Sequence, residues 1–222
     1  MIYENITKAK FICRPNRFIA DVYIGEKRER VHVKNTGRCK ELLIEGSTVY
    51  LTAPESKGRK TKYDLVAVEK NNGLLVNIDS QAPNKVVRQW LENKGFDNIV
   101  PEYTYGSSRI DFYMEKEEKR YLSEVKGCTL EVDGIGYFPD APTERGVKHI
   151  KELIKAQSEG YIASLIFAVQ MDGIKEVLPN AKTHPEFAKV FKLAKEAGVH
   201  IYALPCHIEP QSVTPAEDII AL

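Results

Sequence analysis

Three residues in the stretch RIDFYMEKEEKRYLSEVKG (109–127) have the types and spacing for metal chemistry: Asp111, Glu124 and Lys126. Two short apolar runs flank a charged turn, which predicts a hairpin. Residues two apart on a strand share a face, so Glu124 and Lys126 project from one side and Tyr121, Ser123 and Val125 from the other. A turn centred between Glu117 and Glu118 pairs residues whose numbers sum to 235, as 111 and 124 do. Asp111 then faces Glu124 directly and Lys126 diagonally, and any slip that keeps the sum odd preserves the shared face. Like charges set opposite each other destabilise a hairpin. One of two such carboxylates takes up a proton unless a cation sits between them. A hard divalent ion, Mg²⁺ or Mn²⁺, suits carboxylate oxygens and keeps water positions open for a phosphate. Lys126 can neutralise developing charge or help deprotonate an attacking water. These are the parts for hydrolysing a phosphodiester. The competing reading is an exposed hairpin tied by surface ion pairs, Lys126 to Glu124 and Asp111 to Arg109 or Arg120, of little energetic worth.

Other residues are candidates for supporting roles. Glu102, one strand earlier in PEYTY, would extend the metal shell; a solvated edge-strand carboxylate is the plainer reading. Asp140, Glu144 and Arg145 stand at a loop-to-helix junction after the Glu124–Lys126 strand. A helix N-terminus favours a phosphate, and Arg145 can grip one through two nitrogens. Lys148 follows three residues on along the same helix face. The acidic residues there also fit simple complementation of the helix dipole. His149 is a candidate for proton transfer, although a single helix histidine more often serves packing or the surface. In the first half, NTGRCKELL (35–43) offers Arg38 and Lys40 for phosphate contacts. Arg59, Lys60 and Lys62, in SKGRKTK (56–62), are expected to neutralise phosphates. Tyr23, Tyr50 and Tyr63 are candidates for base stacking.

The elements that must position these residues fall into two halves. AKFICR, RFIADVYI, RVHVK, STVYLTA, DLVAVEK and LLVNID read as short strands with turn residues between them. A short helix is predicted over CKELLIEG, with Leu42 and Leu43 plugging a barrel. A run of strands with one helix after the third predicts a five-stranded oligonucleotide-binding (OB) barrel with an extra strand. Beyond Ala82, NKVVRQWLENKG places Val86, Val87, Trp90 and Leu91 on one helical face. Strands follow at about 99–105, 109–115 and 121–128. A helix over TERGVKHIKELIKAQSEG comes next, with Thr143 as N-cap and Gly160 as its stop. ASLIFAVQ (163–170) is apolar enough for burial on both faces. PEFAKVFKLAKEAG predicts a further helix and VHIYAL a further strand. The result is an α/β domain with a mixed sheet. Its metal-type residues lie on the second and third strands after a helix, the arrangement of the PD-(D/E)xK nuclease core. The predicted domains are 1–82, the barrel, and 83–222, the nuclease-like unit, joined near Asp79–Asn84 by a linker open to proteolysis.

Bulk properties bound the setting. The chain has 222 residues, 43% of them apolar and 28% charged, an ordinary globular composition. No apolar run is long enough for a membrane span and the N-terminus has no signal-peptide pattern, so no membrane partner is expected. Cys13, Cys39, Cys128 and Cys206 are far apart and without a CxxC pair, which points to a reducing cytoplasm. The net charge of +1 hides an asymmetry: residues 1–82 hold 15 Lys+Arg against 10 Asp+Glu, and residues 83–222 hold 17 against 21. A basic front half suggests a polyanionic partner.

The chain also resembles the sugar fermentation stimulation protein A family, nearly end to end. The stretches that carry the resemblance are NTGRCKELL (35–43), YGSSRIDF (105–112), EVKG (124–127) and GYFPDAPTERGVKHIKEL (136–153). The resemblance implies an N-terminal OB domain joined to a nuclease-like domain, with DNA as partner. One departure from the nuclease motif is that no proline precedes Asp111. Two functions remain open at this point: a divalent-metal-dependent DNA phosphodiesterase, or a non-catalytic DNA-binding regulator of sugar (maltose) metabolism that keeps the nuclease fold.

Overall fold

The computed structural model of the chain describes every residue except Ser56, Lys57 and Lys175. Five strands close into a barrel: β1 (Thr7–Asn16), β2 (Ile19–Ile24), β3 (Lys27–Val33), β4 (Thr48–Thr52) and β5 (Asp64–Glu69). Their order is β1-β2-β3-β5-β4 and back to β1. Only the β3–β5 pairing is parallel, and the closed ring is that of an OB barrel. Inward-facing Phe11, Val22, Val31, Val49, Leu51 and Leu65 fill it. β6 (Leu75–Asn77) is the extra strand, paired to β5. The helix predicted over CKELLIEG does not form. Cys39 has φ +46°, and the chain makes one turn in which Leu42 and Leu43 donate to the Cys39 carbonyl at 3.2 and 2.9 Å. Leu42 is nevertheless buried beside Cys39, so the plug survives without the helix.

The junction near Asp79 is not an exposed linker. Ile78, Asp79, Ala82 and Pro83 are buried. The Asp79 carboxylate accepts from the Tyr3 hydroxyl at 3.2 Å, Lys34 Nζ at 2.8 Å and Gln81 N–H at 2.9 Å. Gln170 Nε2 donates to Asn77 Oδ1 and to the Asp79 carbonyl. Tyr3 N–H donates to the Gln211 carbonyl at 2.8 Å. A buried carboxylate is tolerable when paired and hydrogen-bonded in this way. The knot of polar contacts ties the barrel to the second sheet, with Ser80 and Gln81 exposed between its buried members.

The second sheet has the order β15 (Ser212–Pro215), β14 (His200–Glu209), β12 (Ile162–Val169), β9 (Lys119–Cys128), β8 (Ser108–Lys116), β7 (Asp97–Tyr105), with β16 (Ile220–Ala221) on β14. β12 runs parallel to β9 and β14, while β7, β8 and β9 form an antiparallel meander. Helix α1 (Ala82–Asn93) packs Val86, Val87 and Leu91 with Phe112, Met114 and Val125. Helices α2 (Glu144–Ser158) and α3 (Pro185–Glu196) pack with Ile110, Leu122 and Phe167 in the other core. Thr143 Oγ1 caps α2 by accepting from Gly146 N–H at 3.0 Å, and Gly160 sits just beyond it at φ +87°. A small sheet, β10 (Leu130–Val132), β11 (Ile135–Phe138) and β13 (Val177–Pro179), was not anticipated; its strands are three or four residues long and β11 pairs β13 across about forty residues.

The β8–β9 hairpin has the predicted register: Phe112↔Ser123, Tyr113↔Leu122 and Met114↔Tyr121. Its two-residue turn places Glu117 at φ +51° and Glu118 at φ +61°. Such a turn favours Asn-Gly, and left-handed geometry costs an ordinary residue about 1–2 kcal/mol. Glu117→Asn/Glu118→Gly is therefore expected to raise the melting temperature by about 2–4 °C for each kcal/mol relieved. A lower melting point would show that the turn carries no such strain.

Candidate metal centre and nucleic-acid interface

The β8–β9 ladder runs as far as Phe112↔Ser123. At Asp111 a side chain takes over: its Oδ2 accepts the Val125 N–H at 2.8 Å, and its Oδ1 accepts Asn84 Nδ2, from α1, at 2.8 Å. Glu124 lies on the central β9 and is 1% exposed. Its Oε1 accepts from Lys126 Nζ and from His149 Nδ1. The ion pair of the competing reading therefore exists, but buried at the centre of the sheet. Arg145 Nε donates to His149 Nε2 at 3.3 Å. Arginine only donates, so Nε2 accepts in this contact. Glu124 Oε2 is buried and has no hydrogen-bond partner among the described residues.

The two carboxylates differ in their comfort with charge. Burial and then the Glu124 charge push the Asp111 carboxyl above its ordinary value, against the pull of Lys126, Val125 N–H and Asn84. Burial also pushes Glu124 up, but the His149 hydrogen bond and the Lys126 charge outweigh it and leave Glu124 below the ordinary range. A buried acceptor with no partner costs about 1–3 kcal/mol or more when charged. Glu124 and Asp111, close enough for their charges to interact, offer carboxylate oxygens of the kind that suits a hard divalent ion, which binds through one or two carboxylates and completes its shell with water. The residues present thus fit Mg²⁺ or Mn²⁺. No cluster of three or more His, Cys, Asp or Glu suited to a metal occurs among the described residues.

Glu102 does not join this pair. Its neighbours Pro101 and Tyr103 pair with Phe112 and Ile110, which sets it across from Asp111. Its φ is +53°, its side chain is 68% exposed, and it pairs with Arg109. Lys126 and Arg145 share a cleft of about 520 Å³ with Gly127, Asp140 and the barrel loop Asn35–Gly37. Close approach explains both glycines. A Cβ on Gly37 would lie 2.7 Å from Asp140 Oδ2, and one on Gly127 would meet Gln170 Oε1 and sit 2.8 Å from Pro83 Cγ. Arg38 and Lys40 line a neighbouring cleft of about 320 Å³ with Arg14 and Arg17. Lys148 lines a third, of about 560 Å³, with Ser107, Arg109, Arg145 and His149, and its Nζ donates to the Ser107 carbonyl.

The 56–62 segment contributes less than its charge suggests. Ser56 and Lys57 lie outside the described residues. Arg59 pairs with the buried Asp64, Lys60 is exposed, and Lys62 lies 5.0 Å from the Tyr63 ring centre. None of the three lines the clefts above. Tyr23 is exposed, whereas the Tyr50 hydroxyl is bound to Glu69. Sequence reasoning undervalued His149, which is buried against Glu124, and missed Asn84. His149 had a signal, standing four residues after Arg145 and next to core Ile150; Asn84 had none.

An OB barrel joined to a mixed-sheet domain, with an Asp…Glu-x-Lys set on the second and third strands of that domain, defines a barrel-linked protein of PD-(D/E)xK architecture. The model for the "SfsA N-terminal OB domain" matches residues 12–78, and that for the "Sugar fermentation stimulation protein RE domain" matches residues 81–212. The chain belongs to the sugar fermentation stimulation protein family. It is 52% identical over 220 residues to a sugar fermentation stimulation protein homolog of Clostridium botulinum (strain Langeland), covering 96% of this chain and 95% of that one. The homolog of Desulfitobacterium hafniense (strain DSM 10664 / DCB-2) is 50% identical over 216 residues, with 96% and 94% covered. The solved structure of Pyrococcus furiosus SfsA in complex with Ca²⁺ superposes with a TM-score of 0.85 at 33% identity, covering 100% of this chain and 95% of that one. No helix among the described residues is long and apolar enough to cross a membrane.

Proposed function

We propose that this chain binds DNA and hydrolyses phosphodiester bonds with a divalent ion, Mg²⁺ or Mn²⁺, held by Asp111 and Glu124. The barrel, residues 1–82, would serve as the nucleic-acid-binding unit and residues 83–222 as the hydrolytic one. The observation that carries the reading is the buried Glu124 Oε2, without a hydrogen-bond partner among the described residues, on a carboxylate whose charge acts on Asp111 and whose other oxygen is held by Lys126. The Ca²⁺ complex of Pyrococcus furiosus SfsA adds support, because Ca²⁺ is likewise a hard ion that takes oxygen ligands. When bound, the ion supplies Lewis acidity to a phosphoryl oxygen and acidity to its water. The chain's own residues do the rest. His149 holds Glu124 by one oxygen and leaves the other free. Lys126, which lines the cleft, stabilises charge as it builds on the phosphate or takes part in moving the water's proton. Arg145 keeps its terminal nitrogens for a neighbouring phosphate.

The direct test is incubation of labelled single-stranded and duplex DNA with the protein in Mg²⁺, Mn²⁺ or chelator, with Glu124→Gln as the control. Cleavage by the wild type in either metal, absent in chelator and in Glu124→Gln, is expected. DNA bound without cleavage in either metal would leave a non-catalytic DNA-binding protein and remove the hydrolytic claim.

A further inference from the structure

The three clefts are joined. The barrel-side cleft shares Thr36 and Gly37 with the central one. The central cleft shares Arg145 with the third. Together their walls carry eight cationic side chains against the carboxylates of Asp140 and Glu144, in a chain whose net charge is only +1. Several of these cations are engaged within the protein. Arg14 donates to four backbone carbonyls that fix the barrel loop. Arg109 and Lys126 are in ion pairs. Arg17, Arg38, Lys40, Arg145 and Lys148 have no ion-pair partner among the described residues and are exposed.

Resting on the proposed function, we infer that the joined clefts form one track for a single DNA strand. It enters at the barrel corner of Arg17, Arg38 and Lys40, passes Gly37 into the Lys126 pocket, and leaves past Arg145 and Lys148. Three features select a single strand over a duplex. Each cleft, at about 320–560 Å³, is in the range of pockets for one small ligand, ~300–1,000 Å³, so it accepts a nucleotide rather than the side of a double helix. Glu124 is 1% exposed and lies behind Lys126, which pairs with it and lines the central cleft; a phosphate must descend past Lys126 to reach it, which a single strand does by bending. A duplex resists such local bending, being stiff over about 150 base pairs. Finally, Phe18 is 50% exposed in the β1–β2 turn, directly after Arg17. An exposed aromatic beside a basic groove is the stacking platform that single-strand binders use, and Phe18 has no role in the barrel core.

The test is equilibrium binding of fluorescent oligo(dT), about 16 nucleotides long at the upper end of OB site sizes, against a duplex of the same length, in chelator. The single strand is expected to bind at least about tenfold more tightly. Phe18→Ala is expected to weaken it roughly 5- to 100-fold, the range for loss of one stacked base. Arg38→Glu/Lys40→Glu should weaken it more than Arg59→Glu/Lys60→Glu/Lys62→Glu, and should flatten the plot of log K against log salt by roughly 0.7 for each phosphate no longer neutralised. Phe18, Arg38, Lys40, Lys60 and Lys62 are exposed while Arg59 is bound to the buried Asp64, and melting curves check that the variants fold. Duplex binding as tight as single-strand binding, or a larger effect from the 59–62 reversal, would overturn the track. Because no metal is present, the outcome is separate from hydrolysis: cleavage without dependence on the track sinks this inference alone, and binding along the track without cleavage sinks the hydrolytic reading alone.

Discussion

Lys126→Met is expected to lose phosphodiester cleavage by roughly 10²–10⁴-fold, the usual worth of a positioned proton-transfer or charge-stabilising side chain, while still taking up Mn²⁺. The geometry separates these two properties. Lys126 reaches Glu124 Oε1, whereas the oxygen available to a metal is Oε2. Removing the ammonium leaves both carboxylates in place and makes the pocket more negative. At free Mn²⁺ about 100 times Kd, binding stabilises the native state by ~2.7 kcal/mol, a rise of about 5–10 °C in Tm for a chain of this size. That rise should persist in Lys126→Met, from a lower starting point in chelator because Glu124 has lost its cation. A variant that cleaves at the wild-type rate would remove Lys126 from the chemistry. One that loses the Mn²⁺ shift would make Lys126 an organiser of the metal site instead.

Asp111→Asn and Glu124→Gln are expected to move stability in opposite directions, although each removes one carboxylate charge from the same pocket. Asp111 is held above its ordinary value by burial and by Glu124. The folded state therefore binds its proton more tightly than the unfolded chain does, and this group's contribution falls as pH rises through and above ~4. Glu124 is held below its ordinary value. Its contribution is present above ~4 and is lost as pH falls through the folded value. In chelator at neutral pH, Asp111→Asn should melt at or above wild type; its amide oxygen can still accept the Val125 N–H. Glu124→Gln should lose about 1–3 kcal/mol, because Lys126 and His149 lose a charged acceptor. Both differences should shrink toward pH 3. With Mn²⁺ added, wild type should rise by about 5–10 °C and neither variant should follow. If Asp111→Asn melts lower in chelator and the wild type shows no Mn²⁺ shift, the pocket is an ordinary buried ion pair and the hydrolytic proposal fails with it.

What could be read from the sequence was what local pattern controls. The hairpin register followed from one turn position, because a two-residue turn leaves a single pairing that keeps Leu122 and Phe112 in their cores. Thr143 and Gly160 marked the ends of α2 because caps are local chemistry. What failed depended on distant partners. CKELLIEG has helical composition, but the barrel draws Cys39 and Leu42 inward around a left-handed residue. Residues 79–84 looked like a linker because Asp, Ser, Gln and Pro usually face solvent; Tyr3, Lys34 and Gln170 hold Asp79 inside, and Ala82 and Pro83 are buried, while Ser80 and Gln81 stay exposed. Within the site, the nearness of Asp111 to Glu124 followed from the hairpin register, although the ladder itself stops at Phe112↔Ser123. The role of His149 did not follow, since nothing in a helix states which strand it will cover. Arg59 misled for the same reason, its partner Asp64 being reached only after the loop folds back.

The tie between Tyr3 and Gln211 has a consequence for synthesis on the ribosome. Val66, on a barrel strand, packs in the same core as Tyr3, Val86 and Val213. The barrel strands emerge early, but about 200 residues must be added after Tyr3 before its partner at Gln211 exists. At ~5–20 residues per second this leaves a window of about 10–40 s. Once Val66 has been made, it lacks for the rest of that window the Val213 neighbour that later covers it. The nascent barrel thus waits with an apolar patch at its rim, and that side closes only once the strands around Gln211 and Val213 have been made.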